Sequence, residues 1–144
     1  YGLNYVIAYF YNVFGPNQIK NHHMSAVIGI FENQYLKGIP LTVVSPGNQK
    51  RDFTHVYDIV DGFIKAGFTK NNKEYQLASG TLYSILQVAK MFNSKIKMIP
   101  VRPGERFSSQ RDDLKTSYKE LNFKPKYNLK EYISHFIEQN KKKA

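Results

Sequence analysis

Apolar residues follow two alternating spacings along the chain, and this alternation predicts an α/β domain. Mostly apolar runs that predict strands occur at 5–13, 41–44, 75–78 and 96–101. Apolar residues at helical spacing fill the segments 27–35, 56–64, 82–89, 114–121 and 129–137. Because the predicted strands and helices alternate along the chain, the pattern favours one α/β unit without internal repeats.

Capping residues and turn residues predict where these strands and helices begin and end. The run from Tyr5 to Val13 predicts a single buried strand, apolar on both faces, which Gly15-Pro16 stops. Ser25 is the expected N-cap of the first helix, and Gly38 ends that helix. Asn128 with Glu131 predicts a capping box for the last helix.

Composition narrows the classes of protein that fit. The 144 residues carry a net charge of +10, which favours an anionic partner: nucleic acid, an anionic membrane or a phosphorylated small molecule. Part of this charge is a solvated tail at 141–143. There is no cysteine, no apolar run of membrane-spanning length and no visible signal peptide. We therefore expect a cytoplasmic protein without a disulfide framework.

Two arginines are candidate phosphate ligands. Arg51 and Arg102 lie in predicted loops at the edges of regular elements. A guanidinium presents a planar fork to phosphate oxygens, and a diphosphate offers enough oxygens for both side chains. The alternative is that each arginine forms only a surface ion pair, with Asp52 or Glu105 as the neighbouring carboxylate.

Three short motifs in this order resemble segments of the NAD-dependent nucleotide-sugar epimerase/dehydratases, within the extended short-chain dehydrogenase/reductases. The motifs are Asn12-Val13-Phe14-Gly15-Pro16, Arg51-Asp52-Phe53 and Arg102-Pro103-Gly104-Glu105. The resemblance implies that both arginines hold the phosphates of a sugar nucleotide. It also implies that the carboxylate of the third motif lies near the ribose and sugar, and that the asparagine hydrogen-bonds the sugar nucleotide.

The same resemblance implies weaker roles for four further residues. Thr42 and Val44 match the strand that lies along the nucleotide base, where backbone groups make the contacts. Phe10 and Tyr11 match positions that pass the nicotinamide end of the cofactor. For these four residues a packing role in the core remains the alternative, and for Asn12 the alternative is a residue that turns the chain at a strand end.

Two features of the family have no counterpart in this chain. It contains no glycine-rich strand-turn-helix segment to cradle a dinucleotide, and no Tyr-x-x-x-Lys pair. We therefore interpret residues 1–144 as the C-terminal, substrate-binding portion of a Rossmann-type enzyme whose NAD-binding part is absent here. This portion would carry no catalytic residue and be inactive alone. His22-His23 has no third ligand nearby, so no metal site is predicted.

The expected function is binding of a nucleotide-diphosphate sugar, with UDP-hexose and 4-epimerisation as the first choice. A sugar-nucleotide dehydratase or decarboxylase of the same family stays open as an alternative. Expected partners are the missing N-terminal half and a second subunit in a homodimer, with no membrane. A second class of hypothesis is a non-enzymatic basic module that binds nucleic acid; the aromatic residues argue against it because they lie in apolar runs instead of alternating with arginine.

Overall fold

The computed structural model describes residues 2–69, 72–101, 103–104 and 114–141. Eight short strands are present among them: β1 (Ile7–Phe10), β2 (Val13–Phe14), β3 (Leu41–Val44), β4 (Lys50–Asp52), β5 (Thr54–His55), β6 (Glu74–Leu77), β7 (Leu82–Ser84) and β8 (Ile96–Ile99). The helices within the same ranges are α1 (Val27–Leu36), α2 (Val56–Gly67), α3 (Ile85–Met91), α4 (Lys115–Glu120) and α5 (Leu129–Asn140).

The strands associate in pairs, and three of the four described pairs are parallel. Strand β1 pairs with β6, β2 with β5 and β3 with β8, all in parallel register. Strands β4 and β7 form the antiparallel pair. Parallel pairing requires long crossover connections, and helices supply them here. The predicted α/β class is therefore confirmed.

The first strand differs from the prediction. The expected single strand over 5–13 is wrong, because it divides into β1 and β2 at Tyr11 and Asn12. Asn12 has φ 30°, which a strand cannot accommodate. The two pieces also pair with different partners, β6 and β5. In the described part of the chain β1 is largely exposed, so its apolar sequence is not matched by burial.

Three other expectations need correction. Arg51 lies within strand β4 and not in a loop. Leu82 belongs to β7, so the third helix begins only at Ile85, where Ser84 and Gln87 form a capping box. The N-cap of α1 is Ala26 and not Ser25, whose hydroxyl accepts a hydrogen bond from the His22 backbone. The predicted stop at Gly38 (φ 64°) is confirmed. Asn128 caps α5 as expected by accepting from the N–H groups of Lys130 and Glu131, but the return bond from the Glu131 side chain that completes a capping box is not among the described contacts.

Two apolar clusters form the core. The larger one joins α1, α3 and α5 to β3, and its members include Phe31, Leu41, Val88 and Ile133. The smaller one joins α2, β6 and the segment after α4, with the members Ile59, Ala66, Tyr75, Leu77, Leu121 and Phe123. Burial of apolar side chains in these clusters stabilises the helices more than their intrinsic helix propensity does.

Helix α2 buries only one side. Ile59 and Ala66 face the smaller cluster, whereas Val60, Phe63 and Ile64 are exposed. The apolar stripe predicted for this helix is thus wider than the surface that the described residues cover. No helix in the described ranges is both long and apolar enough to cross a membrane.

The first testable prediction concerns the segment that leads into α1. A Cβ on Gly29 would lie 2.3 Å from the Ile19 carbonyl oxygen, a backbone atom that cannot swing away. We expect Gly29→Ala to lower the free energy of unfolding by about 1–3 kcal/mol, measured by urea denaturation of the intact protein.

Gly67→Ala is the matched control, because a Cβ there meets nothing within 4 Å. It should leave stability unchanged or raise it by up to about 1 kcal/mol. Equal effects of the two substitutions would contradict the close approach of the Ile19 carbonyl to α1.

Candidate functional site

A cavity of about 280 Å³ lies between α1, β3 and β4. Four of the predicted ligand-binding residues line it together: Asn12, Thr42, Val44 and Arg51. They come from three separate segments of the chain, so their convergence is a property of the fold and not of local sequence. The remaining lining residues are mostly apolar and come from Val13, α1 with its N-cap, Phe53 and Ile85, with Gln49 as a further polar member.

Arg51 supplies the cationic side chain of this wall. It is half-buried on β4, opposite Tyr83 of β7. Its Nη1 donates to the Lys50 carbonyl oxygen at 2.8 Å. Since Arg51 lines the cavity, this arrangement can hold an anion there through charge-assisted hydrogen bonds.

Asn12 stands at the junction between β1 and β2. Its Nδ2 donates to the Asp52 backbone carbonyl at 3.0 Å. The positive φ of Asn12 agrees with the turn role that was the alternative, while its place in the cavity wall agrees with the ligand role. One of the two Nδ2 hydrogens is engaged in this bond, so Asn12 can offer its second N–H and its side-chain oxygen to a ligand.

The N-terminus of α1 forms another wall of the cavity, and its backbone N–H groups were not among the predicted ligands. Ala26, Val27 and Ile28 line the cavity. No side chain caps this ten-residue helix, and its first turn holds no acidic residue. The first N–H groups of a helix carry partial positive charge and attract anions. Together with Arg51, they make one side of the cavity favourable to phosphate oxygens.

Asp52 holds the adjacent strand in place. Its side chain is only 1% exposed, and its Oδ1 accepts from the Ser79 backbone N–H at 2.9 Å and from the Ser79 hydroxyl at 2.6 Å. Its Oδ2 accepts from the Gly80 N–H at 3.0 Å. These bonds fasten β4 to the turn after β6, so Asp52 acts as a structural anchor beside Arg51.

The other predicted site residues are not in this cavity wall. Phe10 is exposed and packs edge-on against Phe63, with ring centroids 5.6 Å apart. The Tyr11 hydroxyl donates to Gln76 Oε1. Arg102 and Glu105 lie outside the described residues, so their predicted roles stay predictions. Within the described ranges, no group of three acidic, histidine or cysteine side chains could hold a metal ion.

His55 is a buried residue that joins α2 to the C-terminal segment. Its Nδ1 caps α2 by accepting from the Tyr57 N–H at 3.2 Å, and its ring stacks on Tyr127 with centroids 4.4 Å apart. Burial lowers the pKa of His55, and the nearby Asp58 carboxylate opposes this in part. The carboxylate of Asp58 in turn accepts from the N–H groups of Lys126 and Tyr127.

Comparison with known proteins shows the family and the fold of this chain. The model of the NAD dependent epimerase/dehydratase family matches residues 1–107. A UDP-glucose 4-epimerase from Thermotoga maritima, solved with UDP-glucose, superposes with a TM-score of 0.86 at 26% identity, over 99% of this chain and 48% of that chain. A UDP-N-acetylglucosamine 4-epimerase from Methanobrevibacter ruminantium gives a TM-score of 0.83 at 29% identity, over 96% and 48%.

A curated relative carries a different activity in its name. UDP-glucuronic acid decarboxylase 3 from Arabidopsis thaliana is 27% identical over 137 residues, which cover 91% of this chain and 39% of the relative. This chain belongs to the NAD dependent epimerase/dehydratase family. Its fold matches part of the Rossmann-type fold of the extended short-chain dehydrogenase/reductases, and it spans less than half the length of these three proteins.

The second prediction concerns pH. A lowered pKa means that native His55 resists protonation, whereas the unfolded chain takes up the proton near the ordinary pKa of 6.5. Protonation would also block the Nδ1 acceptor that caps α2. We therefore expect the free energy of unfolding of the intact protein to fall as the pH drops from about 7 to about 5, measured by urea denaturation at each pH.

His55→Asn retains a capping oxygen but does not titrate, so it should flatten this pH dependence. His135→Asn is the control, because His135 is exposed on α5. An unaltered slope in the His55 variant would show that another group governs stability in this range.

Proposed function

We propose that this chain is the C-terminal, substrate-binding portion of an NAD-dependent nucleotide-sugar epimerase/dehydratase. The observation that carries the proposal is the single cavity lined by Asn12, Thr42, Val44 and Arg51. A diphosphate would lie against Arg51 and the N-terminus of α1, the base against β3, and the sugar toward Asn12. Holding the substrate in this way supplies orientation, which accounts for a large part of enzymatic rate enhancement.

NAD supplies the hydride chemistry in this family. The residues of this chain fit only the nicotinamide end of the cofactor. No glycine-rich turn is available in the sequence to hold a dinucleotide pyrophosphate. Phe10 and Tyr11, at the end of β1, are the residues proposed to pass the nicotinamide end. The contribution of this chain is to bind and orient the sugar nucleotide, while proton transfer falls to groups outside it.

Surface features support an N-terminal partner segment. Among the described strands β1 is paired only with β6, so its other edge is open. Parallel strands are normally buried on both faces, yet Tyr9 and Phe10 are exposed beside the apolar side of α2. A Rossmann portion added along this edge would extend the sheet and cover these side chains. We also propose that the intact enzyme is a homodimer.

The proposed reaction is 4-epimerisation of a UDP-hexose. Its support is the similarity to 4-epimerases, one of them solved with UDP-glucose. Decarboxylation of UDP-glucuronic acid is the second candidate, favoured by the decarboxylase relative. Incubation of the intact protein with NAD and each UDP-sugar distinguishes them: an epimerase returns a sugar of equal mass, whereas a decarboxylase releases carbon dioxide.

The third prediction tests the phosphate contact. Removing the guanidinium in Arg51→Ala should weaken binding of UDP-glucose at least about tenfold, because a charge-assisted hydrogen bond contributes about 1.5–3 kcal/mol. Calorimetry on the intact protein measures this. Lys50→Ala removes a neighbouring exposed charge whose residue does not line the cavity, and should change the affinity little. Unchanged affinity in Arg51→Ala would remove the phosphate assignment. We expect the same tenfold loss for Arg102→Ala.

The fourth prediction concerns the isolated chain. A purified protein of residues 1–144 should give no epimerase turnover with NAD and UDP-glucose, since it contains neither a dinucleotide cradle nor a Tyr-x-x-x-Lys pair. Product formation is followed by chromatography of the sugar nucleotides. If a sample whose mass matches residues 1–144 still forms product, the assignment of the chemistry to another part of the enzyme is contradicted.

A further inference from the structure

A second cavity, of about 440 Å³, lies where α5 meets the loop between β2 and α1. Its volume falls within the range of small-molecule sites, about 300–1,000 Å³. We call it the α5 cavity, because Tyr132, Phe136 and Gln139 of that helix line it. It shares no lining residue with the cavity that contains Arg51, so it is a separate feature of the fold.

The walls of the α5 cavity are mainly aromatic. The His55 ring stacks on Tyr127, with centroids 4.4 Å apart, and meets the Tyr57 ring edge-on at 5.0 Å. Tyr132 and Phe136 line the cavity as well. Tyr57 and Tyr127 are about half exposed, so the cavity is open to solvent beside them. Walls of this kind favour a flat, apolar ligand body, because aromatic rings stack on one another in offset or edge-on arrangements.

His55 brings a buried hydrogen-bond donor to the α5 cavity. The residue is only 4% exposed and lines the cavity. Its Nδ1 accepts from the Tyr57 N–H at 3.2 Å, and burial lowers the pKa of the ring, so the neutral imidazole carries its proton on Nε2. In the described ranges no residue accepts a hydrogen bond from Nε2. A buried donor without a partner costs free energy, so an acceptor atom that enters the cavity removes that cost.

Lys20 adds a cation to the same cavity wall. Its Nζ lies 3.0 Å from Glu32 Oε2 and 5.1 Å from the centroid of the Phe136 ring. Glu32 is fully buried on α1 and does not line the cavity, and its Oε1 accepts from the Tyr132 hydroxyl at 2.7 Å. An ammonium has three N–H donors, and the contacts within the described ranges engage one of them, with Glu32. The buried carboxylate therefore fixes the ammonium at the wall and leaves it able to bind a second anion.

The polar groups that line the α5 cavity restrict the charge of a ligand. Among the described residues they are an ammonium, two imidazoles, tyrosine hydroxyls and side-chain amides, and no carboxylate is present. A cationic ligand would meet the Lys20 ammonium without a countercharge in the wall. A sugar has many hydroxyl donors, for which the wall offers few strong acceptors. A flat molecule with one carboxylate fits both constraints.

We propose that the α5 cavity is a second ligand site, which binds a small aromatic carboxylate with its ring among the tyrosines and its carboxylate on Lys20 and His55. The inference does not rest on the proposed function, because the two cavities are lined by different residues. It assigns a binding role to His55 and Lys20, neither of which the sequence motifs indicated.

The test compares 2-naphthoate with 2-naphthamide by calorimetry on the intact protein. The two compounds have nearly the same shape, but only the first is charged. We expect 2-naphthoate to bind about fivefold more tightly or better, the size of one hydrogen bond. Saturating UDP should leave this affinity unchanged, because the cavities share no residue. Equal affinities of the two compounds would overturn the inference, and so would displacement by UDP, which would place the carboxylate on Arg51.

A double variant removes the cation without burying an unpaired charge. Lys20→Met alone would leave the Glu32 carboxylate without its counter-ion, so it is combined with Glu32→Gln. We expect this variant to lose the preference for 2-naphthoate and to bind 2-naphthamide as before, which shows that the cavity is intact. Lys37→Met is the matched control, because Lys37 is exposed after α1 and does not line the cavity.

The second contact is tested at His55. His55→Asn retains an oxygen that can cap α2 but has no donor at the position of Nε2, so 2-naphthoate should bind about fivefold more weakly. A preference for 2-naphthoate that persists in the double variant would overturn the inference. If the double variant binds neither compound, His55→Asn decides: the fivefold loss supports the site, and unchanged affinity overturns it.

Discussion

The arrangement of the site depends on the buried carboxylate of Asp52. It accepts three hydrogen bonds from Ser79 and Gly80, and the carbonyl of the same residue accepts from the Asn12 side chain. Bonds to a charged group contribute about 1.5–3 kcal/mol each, and a buried carboxylate without them would be strongly unfavourable. Successive side chains of a strand point to opposite faces. By pointing inward, Asp52 obliges Arg51 to point toward the opposite face, where the cavity lies.

Long periodic segments were predictable because burial on one face imposes a regular spacing. Helix α2, strand β3 and the cap at Asn128 follow from such local rules. The two- and three-residue strands β4, β5 and β7 could not be predicted, since so few residues show no period. The break at Asn12 was missed for another reason: its positive φ is held by a hydrogen bond to Asp52, 40 residues away.

The residues of the candidate site also divide into those that the sequence predicted and those that it did not. Motifs in the sequence pointed to Asn12, Thr42, Val44 and Arg51, and the fold brings these four to one cavity. Gln34 and Gln49 gave no comparable signal, because a glutamine on a helix or between two strands is ordinary in a sequence. Their side chains bond to the edge of β3, a contact that only the fold creates. The sequence did not show that the N-terminus of α1 lacks a side-chain cap, because Ser25 has the chemistry of an N-cap. In the structure the Ser25 hydroxyl accepts from the His22 backbone instead.

The cavity has a charged side and a side formed by a strand edge. The two act through interactions of different range and direction, so the roles proposed for them differ. Arg51 and the helix N-terminus act through charge, which attracts any diphosphate and discriminates little between bases. The strand edge acts through short, directional hydrogen bonds, which contribute less affinity but penalise a mismatched partner by leaving groups unpaired. In the proposed function, the charged side would therefore contribute affinity for many nucleotide sugars, whereas hydrogen bonds at the strand edge would discriminate among their bases. A substitution on the charged side should then weaken all nucleotides alike, and one on the edge should reorder them.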